Sequence, residues 1–307
     1  MTGADDPLVF EVGTGAEFLA RGEGIQIAPM LQLADEGPAN IGGATVTLSE
    51  GVQDNGFGTA YETLSLSQAA LDVAADAGIT VAIVSDGSGS ILTLAGTSSA
   101  QIYESILSQV VYTNGNLNAV AGLRTVEFEV SNSGGAVIST DSAPVDVVWA
   151  PWFDLNGPSA SGLSHEVTHV EGGAAIAIAT SDSQILDQDG NIASLTVTLT
   201  NPLDNTGETA VEALSISAPV LTLLSSKGIT VGSSDGTLDS GGNLTGATTI
   251  TFTAAGGQPA TQFQLALRGV NYSNSSDNPD PTNRIVTVDG IDTEGHSGAG
   301  AQTVIVI

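Results

Sequence analysis

The chain has no cysteine, which excludes disulfide staples and thiolate metal sites. It has almost no positive charge: Lys227, Arg21, Arg124, Arg268 and Arg284 stand against 34 acids, for a formal charge of −29. Without a basic patch, binding to nucleic acid or anionic lipid is not expected. No apolar run reaches the roughly 18 residues of a membrane span, so membrane insertion is not expected either. Met1 to Pro7 shows no basic or apolar signal region, and no secretory signal is visible there. Aromatic residues make up 4% of the chain, with no cluster outside Trp149 to Phe153, which leaves little for a stacking ligand such as a glycan.

What is present points to β-structure. Hydrophobic residues are 41% of 307, too many for a disordered acidic tail. Alternating runs recur at Ala44–Leu48, Thr125–Val130, Ser194–Thr200, Thr248–Thr253 and Gln302–Ile307. Each places every second side chain on one face, as a half-buried strand requires. Clusters of Gly, Ser, Asn and Asp, such as Ser85–Ser90 and Asp239–Asn243, separate them as turns. The expected class is all-β: two tandem antiparallel β-sandwiches of cadherin or immunoglobulin type, each with one short helical segment.

An internal repeat divides the chain. Tyr103, Leu107, Val110, Tyr112 and Asn114 recur as Phe263, Leu267, Val270, Tyr272 and Asn274 at an offset of 160, which also relates Arg124 to Arg284. Upstream, Leu64–Ser67 and Gly78–Val81 match Leu214–Ser217 and Gly228–Val231 at an offset of 150, so about ten residues around Thr237 to Gly246 are inserted in the second copy. The expected units are 1–150 and 151–307, with Pro144, Pro151 and Pro158 punctuating the boundary. Tyr103, Leu107 and Val110 lie on one face of a short helix, which then gives way to a strand.

Calcium takes six to eight hard oxygen ligands. Asp187 and Asp189, two residues apart before Gly190, are the leading pair; Asp182 lies five residues upstream, and Glu171 joins them if its strand runs alongside. Asp154 and Asn156 stand where the second unit begins, and Asp277 and Asp280 flank Pro279. Ordinary turn formation explains the same residues, since Asp and Asn side chains hydrogen-bond their own backbone. The spacing is not that of an EF-hand.

Several of these segments carry a family resemblance: Asp154-Leu-Asn-Gly157, Glu171-Gly-Gly173, Asp187-Gln-Asp-Gly190, Ile192–Thr200 with Asn201-Pro202, and the Phe263–Asp280 stretch. The second unit resembles the cadherin-like tandem repeats of very large bacterial surface adhesins and calcium-dependent exoproteins. The first unit reads as a diverged copy, with Glu23-Gly24, with Asp35-Glu-Gly37 for the acidic loop, and with no counterpart of Asp277 or Asp280. The resemblance implies cadherin-type sandwiches, calcium at the acidic loops and the inter-unit junction, no catalytic residues, and mechanical or adhesive work outside the cell.

His165-Glu166-Val-Thr-His169 matches the zinc-protease pattern H-E-x-x-H. That chemistry needs a helix, on which the two histidines share a face. The β-branched residues and the glycines that follow favour a strand, on which residues four apart lie about 13 Å from each other. Ala175 also stands where a third histidine is required. His296, among Gly and Ser, reads as a solvated loop residue. The expectation is a non-enzymatic, secreted cell-surface protein, stabilised by calcium and self-assembling or adhesive, with other copies or surface proteins as partners. A carbohydrate-binding module is the alternative. Gln302–Ile307 and Leu8–Val12 are the strands expected to pair with a neighbouring copy.

Overall fold

The computed structural model describes residues 8–34, 41–49, 60–87, 89–205, 211–298 and 300–307. The acidic Asp35-Glu-Gly37 segment lies outside them. The chain divides into two units, Met1–Val148 and Trp149–Ile307.

Unit 1 contains β1 (Val9–Glu11), β2 (Ala16–Leu19), β3 (Ile25–Gln26), β4 (Gln32–Ala34), β5 (Ile41–Leu48), β6 (Glu62–Leu66), α1 (Gln68–Asp76), β7 (Thr80–Asp86), β8 (Gly89–Ser98), α2 (Ala100–Leu107), β9 (Val110–Asn114), β10 (Gly122–Asn132) and β11 (Val137–Val148). A six-stranded sheet β2-β11-β10-β5-β8-β7 faces a three-stranded sheet β3-β9-β6, with a small β1-β4 ribbon beside them. Val46, Leu92, Leu94, Val126 and Phe128 point inward from the large sheet, and Tyr103, Tyr112 and Phe18 fill the centre. The Phe18 and Tyr112 rings meet edge to face at 5.0 Å.

Unit 2 repeats this order: β12 (Trp152–Asp154), β13 (His165–Thr168), β14 (Ile176–Ala177), β15 (Gln184–Leu186), β16 (Ile192–Leu199), β17 (Glu212–Ile216), α3 (Ala218–Ser226), β18 (Thr230–Ser233), β19 (Thr237–Leu238), β20 (Leu244–Ala247), β21 (Thr249–Gln258), α4 (Ala260–Gly269), β22 (Val270–Asn274), β23 (Arg284–Asp292) and β24 (Ala301–Val306). Its large sheet is β13-β24-β23-β16-β21-β18, and its small sheet β14-β22-β17-β20-β19. The insertion found in the sequence forms β19 and β20, which extend the small sheet beside β17. Leu195, Val197, Phe252, Phe263, Leu267, Tyr272, Val286 and Val288 make one core between the sheets.

The all-β sandwich class holds, with two refinements. Each unit carries two helices rather than one. The second of each pair is the helix that the Tyr103/Phe263 spacing indicates. The first, α1 or α3, starts after Ser67 or Ser217 and stops before a positive-φ glycine, Gly78 or Gly228. The sheets are also not purely antiparallel, because β2 joins β11 and β13 joins β24 in parallel. Of the two strands expected to pair with a neighbouring copy, Gln302–Ile307 is paired on both sides and Leu8–Val12 on one. β24 lies between β13 and β23, and β1 pairs with β4.

Candidate cation site

One end of unit 2 gathers carboxylates from two loops. Asp187 and Asp189 lie between β15 and β16; Asp292 ends β23, followed by Glu294 and His296. A β-bulge at Ile192 to Ser194 and the pairing of Ile192 with Asp292 bring the loops together. The Thr293 N–H donates to the Asn191 carbonyl at 2.8 Å and ties them. Gly190 sits in between: a Cβ there would lie 3.5 Å from Glu294 Oε2 and 3.6 Å from Asp187 Oδ2.

The three aspartates are held by hydrogen bonds, whereas Glu294 is exposed, and not all oxygens find a donor. Asp292 Oδ1 accepts N–H bonds from Glu294, Gly295 and His296 at 2.7–2.9 Å, and its Oδ2 lies 2.9 Å from His296 Nδ1. Asp189 Oδ2 accepts the Trp149 N–H at 2.6 Å, and Asp187 Oδ1 accepts the Gly190 N–H at 3.2 Å. The other oxygens, Asp187 Oδ2 and Asp189 Oδ1, are buried without a donor. Burial first, then the adjoining Asp189 carboxyl, with Asp292 adding, push the Asp187 carboxyl up to about 7. Ligand atoms of Asp292, Glu294 and His296 lie within 4.8 Å of one another. Three arginines of the chain are committed elsewhere: Arg124 to Glu62, Arg284 to Glu212 and Asp204, and Arg268 to Ser183. Asp187 and Asp189, with their two unpartnered buried oxygens, and Asp292 and Glu294 nearby are oxygen donors of the kind that could hold a hard divalent cation.

The β12–β15 ribbon separates the sequence candidates. Asp154 pairs with Gln184 at one end, whereas Trp152 pairs with Leu186, just before Asp187, at the other. Asp154, Asn156 and Asp182 therefore meet away from Asp187 and Asp189. Asp154 Oδ1 caps the Asn156 and Gly157 N–H groups at 3.2 and 2.8 Å, and Asn156 Nδ2 donates to the Ser161 carbonyl. Gly157, at φ +80°, lies so close to Asp182 that a Cβ would stand 2.5 Å from its carboxylate. Glu171 is exposed in the turn after β13, at the Arg284 end of the large sheet. Asp292 is eight residues up β23, about 26 Å away. Glu171 thus does not join Asp187 and Asp189.

Asp277 is exposed, and Asp280 serves a different cluster at that same far end. Asp280 donates its N–H to Asp204 Oδ1 and its carboxylate accepts the Thr282 N–H at 2.8 Å; the Thr282 hydroxyl first, and then this N–H, hold its pKa below the usual range. Here Arg284, fully buried, binds Glu212 at 2.5 Å, Asp204 at 3.0 Å and the carbonyls of Asp280 and Thr282. Tyr272 and Asn274 donate to Glu212 at 2.8 and 2.9 Å. Unit 1 repeats the network: Arg124 binds Glu62 at 2.8 Å, and Asn114 donates to Glu62 at 3.2 Å.

The His165–His169 motif lies on and just past a strand, with His165 opposite Thr303 and the His169 N–H donating to the Val306 carbonyl. It has no helix to converge the two rings, so the zinc-protease geometry is absent. His296, expected to be solvated, is instead held by Asp292.

No protein-family model matches the chain, and no curated protein matches it. Among solved structures it is similar to the fibronectin(III)-like modules of Clostridium thermocellum CbhA (12% identity, 98% of this chain and 93% of that one, TM-score 0.23). It is also similar to the C-terminal domain of the Streptococcus agalactiae AgI/II polypeptide BspA (9% identity, 87% and 85%, TM-score 0.23). A third is Drosophila N-cadherin EC1-3 (11% identity, 98% and 67%, TM-score 0.21). At such scores the likeness adds nothing to the sandwich architecture seen in the sheets. No helix is long and apolar enough to cross a membrane among the described residues.

Proposed function

We propose that the chain is a non-enzymatic structural module of the cell exterior, adhesive or self-assembling, whose second unit is completed by calcium at Asp187, Asp189, Asp292 and Glu294. The observation that carries the calcium reading is the pair of buried, donorless oxygens on Asp187 and Asp189, facing further carboxylates. A divalent cation would satisfy these oxygens and reverse the local electrostatics that raise the Asp187 pKa. His296, against Asp292, orients that carboxylate rather than competing for a hard ion. An exterior with abundant calcium suits a site built from loops, and salt there screens a chain of −29. Self-assembly and adhesion to other copies or surface proteins are the proposed use of the two sandwich units.

Thermal melting in millimolar calcium and in excess EGTA tests the reading, with tryptophan emission as the probe. Trp149 and Trp152 are the chain's two tryptophans and both belong to unit 2. A higher melting temperature in calcium, abolished by Asp189→Asn, supports it. A melting curve indifferent to calcium removes the cation from the proposal.

A further inference from the structure

Among the described residues, the edge strands β7 and β18 of the two large sheets differ. β18, the edge in unit 2, has four residues including Gly232, and Asp235 follows closely. β7, its counterpart, has seven, and among the described residues it pairs only with β8. Its register with β8 runs from Thr80–Ala95 to Asp86–Gly89 without a bulge. It has no proline or lysine, the devices that blunt an edge. Both faces expose an apolar side chain. Ile83, opposite the buried Leu92 of β8, is 42% exposed, and Val84, opposite the exposed Ile91, is 62% exposed.

Charge indicates what this edge receives. Two copies of a chain of −29 repel wherever their acids meet. Asp86 is the one charged residue between Ile79 and Ser98, whereas the opposite large-sheet edges carry Glu17 on β2 and Glu166 on β13. At β7 a second copy can approach with little repulsion. A strand paired antiparallel with its own copy also matches each face to itself, so apolar side chains meet apolar side chains on both sides. We propose that β7 pairs antiparallel with β7 of a second copy, joining two six-stranded sheets of unit 1 into one continuous sheet. The proposal rests on the self-assembly reading above and names its contact.

The cysteine-free chain makes the test direct. Single cysteines are placed in turn from Val81→Cys to Ser85→Cys, with Thr230→Cys on β18 as the control, and each protein is oxidised when dilute. In an antiparallel self-pair, each residue away from the two-fold axis adds about 6.6 Å between equivalent positions. Disulfide-linked dimer should therefore peak at one position or an adjacent pair and fall sharply two residues away. A flat profile, or yields no higher than the control, overturns the proposal. Sedimentation of Val84→Lys gives a second measure: a dimer dissociation constant raised about tenfold or more, with unit 1 melting unchanged, is expected for charge placed on an open edge. If Val84→Lys associates like the parent, the β7 contact is wrong and self-assembly stands. If the parent remains monomeric at every concentration and calcium level, both fall, while the EGTA melt still judges the calcium site separately.

Discussion

Asn132 in unit 1 and Asp292 in unit 2 end equivalent strands and fold the same turn. Asn132 Oδ1 accepts the Gly134 and Ala136 N–H groups at 2.9 and 3.1 Å, as Asp292 Oδ1 does from the residues after it. The backbone bond from residue to fourth residue is also shared, Asn132 to Ala136 and Asp292 to His296. The turn itself therefore needs only a side-chain oxygen acceptor, which an amide supplies as well as a carboxylate. The negative charge in unit 2 serves something else, and so do Glu294 and His296, which Gly134 and Ala136 replace in unit 1. One turn carries a carboxylate in one copy and an amide in the other, which separates what the turn requires from what the added charge does.

The largest effect expected is one the two units share. Arg284→Met leaves the buried Glu212 and the half-buried Asp204 without their cation, and Arg124→Met does the same to the buried Glu62; each should destabilise its unit by about 3–5 kcal/mol. Denaturant unfolding, followed by tryptophan emission for unit 2 and hydrogen exchange for unit 1, reads the two losses separately. Equal stability of the parent and either variant would mean that the network contributes nothing beyond packing.

Calcium should then divide the units. At ten- to a hundredfold above its dissociation constant, one ion adds roughly 1.4–2.7 kcal/mol. For a unit of this size that corresponds to a rise of roughly 3–10 °C, confined to the tryptophan-reported transition. Asp292→Asn makes the turn of unit 2 resemble that of unit 1. Its melting temperature in EGTA should equal or exceed the parent's, because a repelling charge is gone, and should no longer rise in calcium. A calcium response that survives this change would place the ion elsewhere.

The smallest contrast is acid sensitivity. All three histidines lie in unit 2. His169 is buried, its Nε2 has no partner, and its ring meets Tyr272 edge to face at 5.4 Å. Burial lowers its pKa, with the Glu212 charge opposing. The unfolded chain then binds the proton more readily, so stability present above about pH 6.5 is lost as pH falls. His169→Phe keeps the ring contact and should weaken that loss by up to about 1 kcal/mol at pH 5.5. Comparing parent and variant at each pH cancels the opposite trend from Asp187, whose raised pKa favours the folded state as pH falls. Identical pH profiles for the two proteins would exclude His169 as the source.

Much of the fold was legible because strand alternation and the repeat are local or fixed-offset patterns. Val286 and Val288 alternate inward as their spacing requires, and the insertion at Thr237–Gly246 became β19 and β20. The Arg–Glu network has a signal in the repeat: Glu62 and Glu212 stand two residues before the matched Leu64 and Leu214, at the same offset of 150. The cation site was half legible. Asp187 and Asp189 share a loop, and their close spacing with Gly190 drew attention to them. Asp292 and Glu294 lie about a hundred residues further on, in a stretch that resembles any turn.

The sequence alone determined the class, the two-fold repetition, the helix before each Val110 or Val270 strand, and the strand that disqualifies His165 and His169 as a zinc pair. These depend on periodicity, which each segment carries by itself. Only the tertiary structure decided which acids meet. Pairing β12 with β15 set Asp154 and Asp187 at opposite ends of a ribbon, and the pairing of Ile192 with Asp292 brought the two acidic loops together. Sheet register is a long-range choice made by the whole buried face, so no local spacing of carboxylates could have shown it.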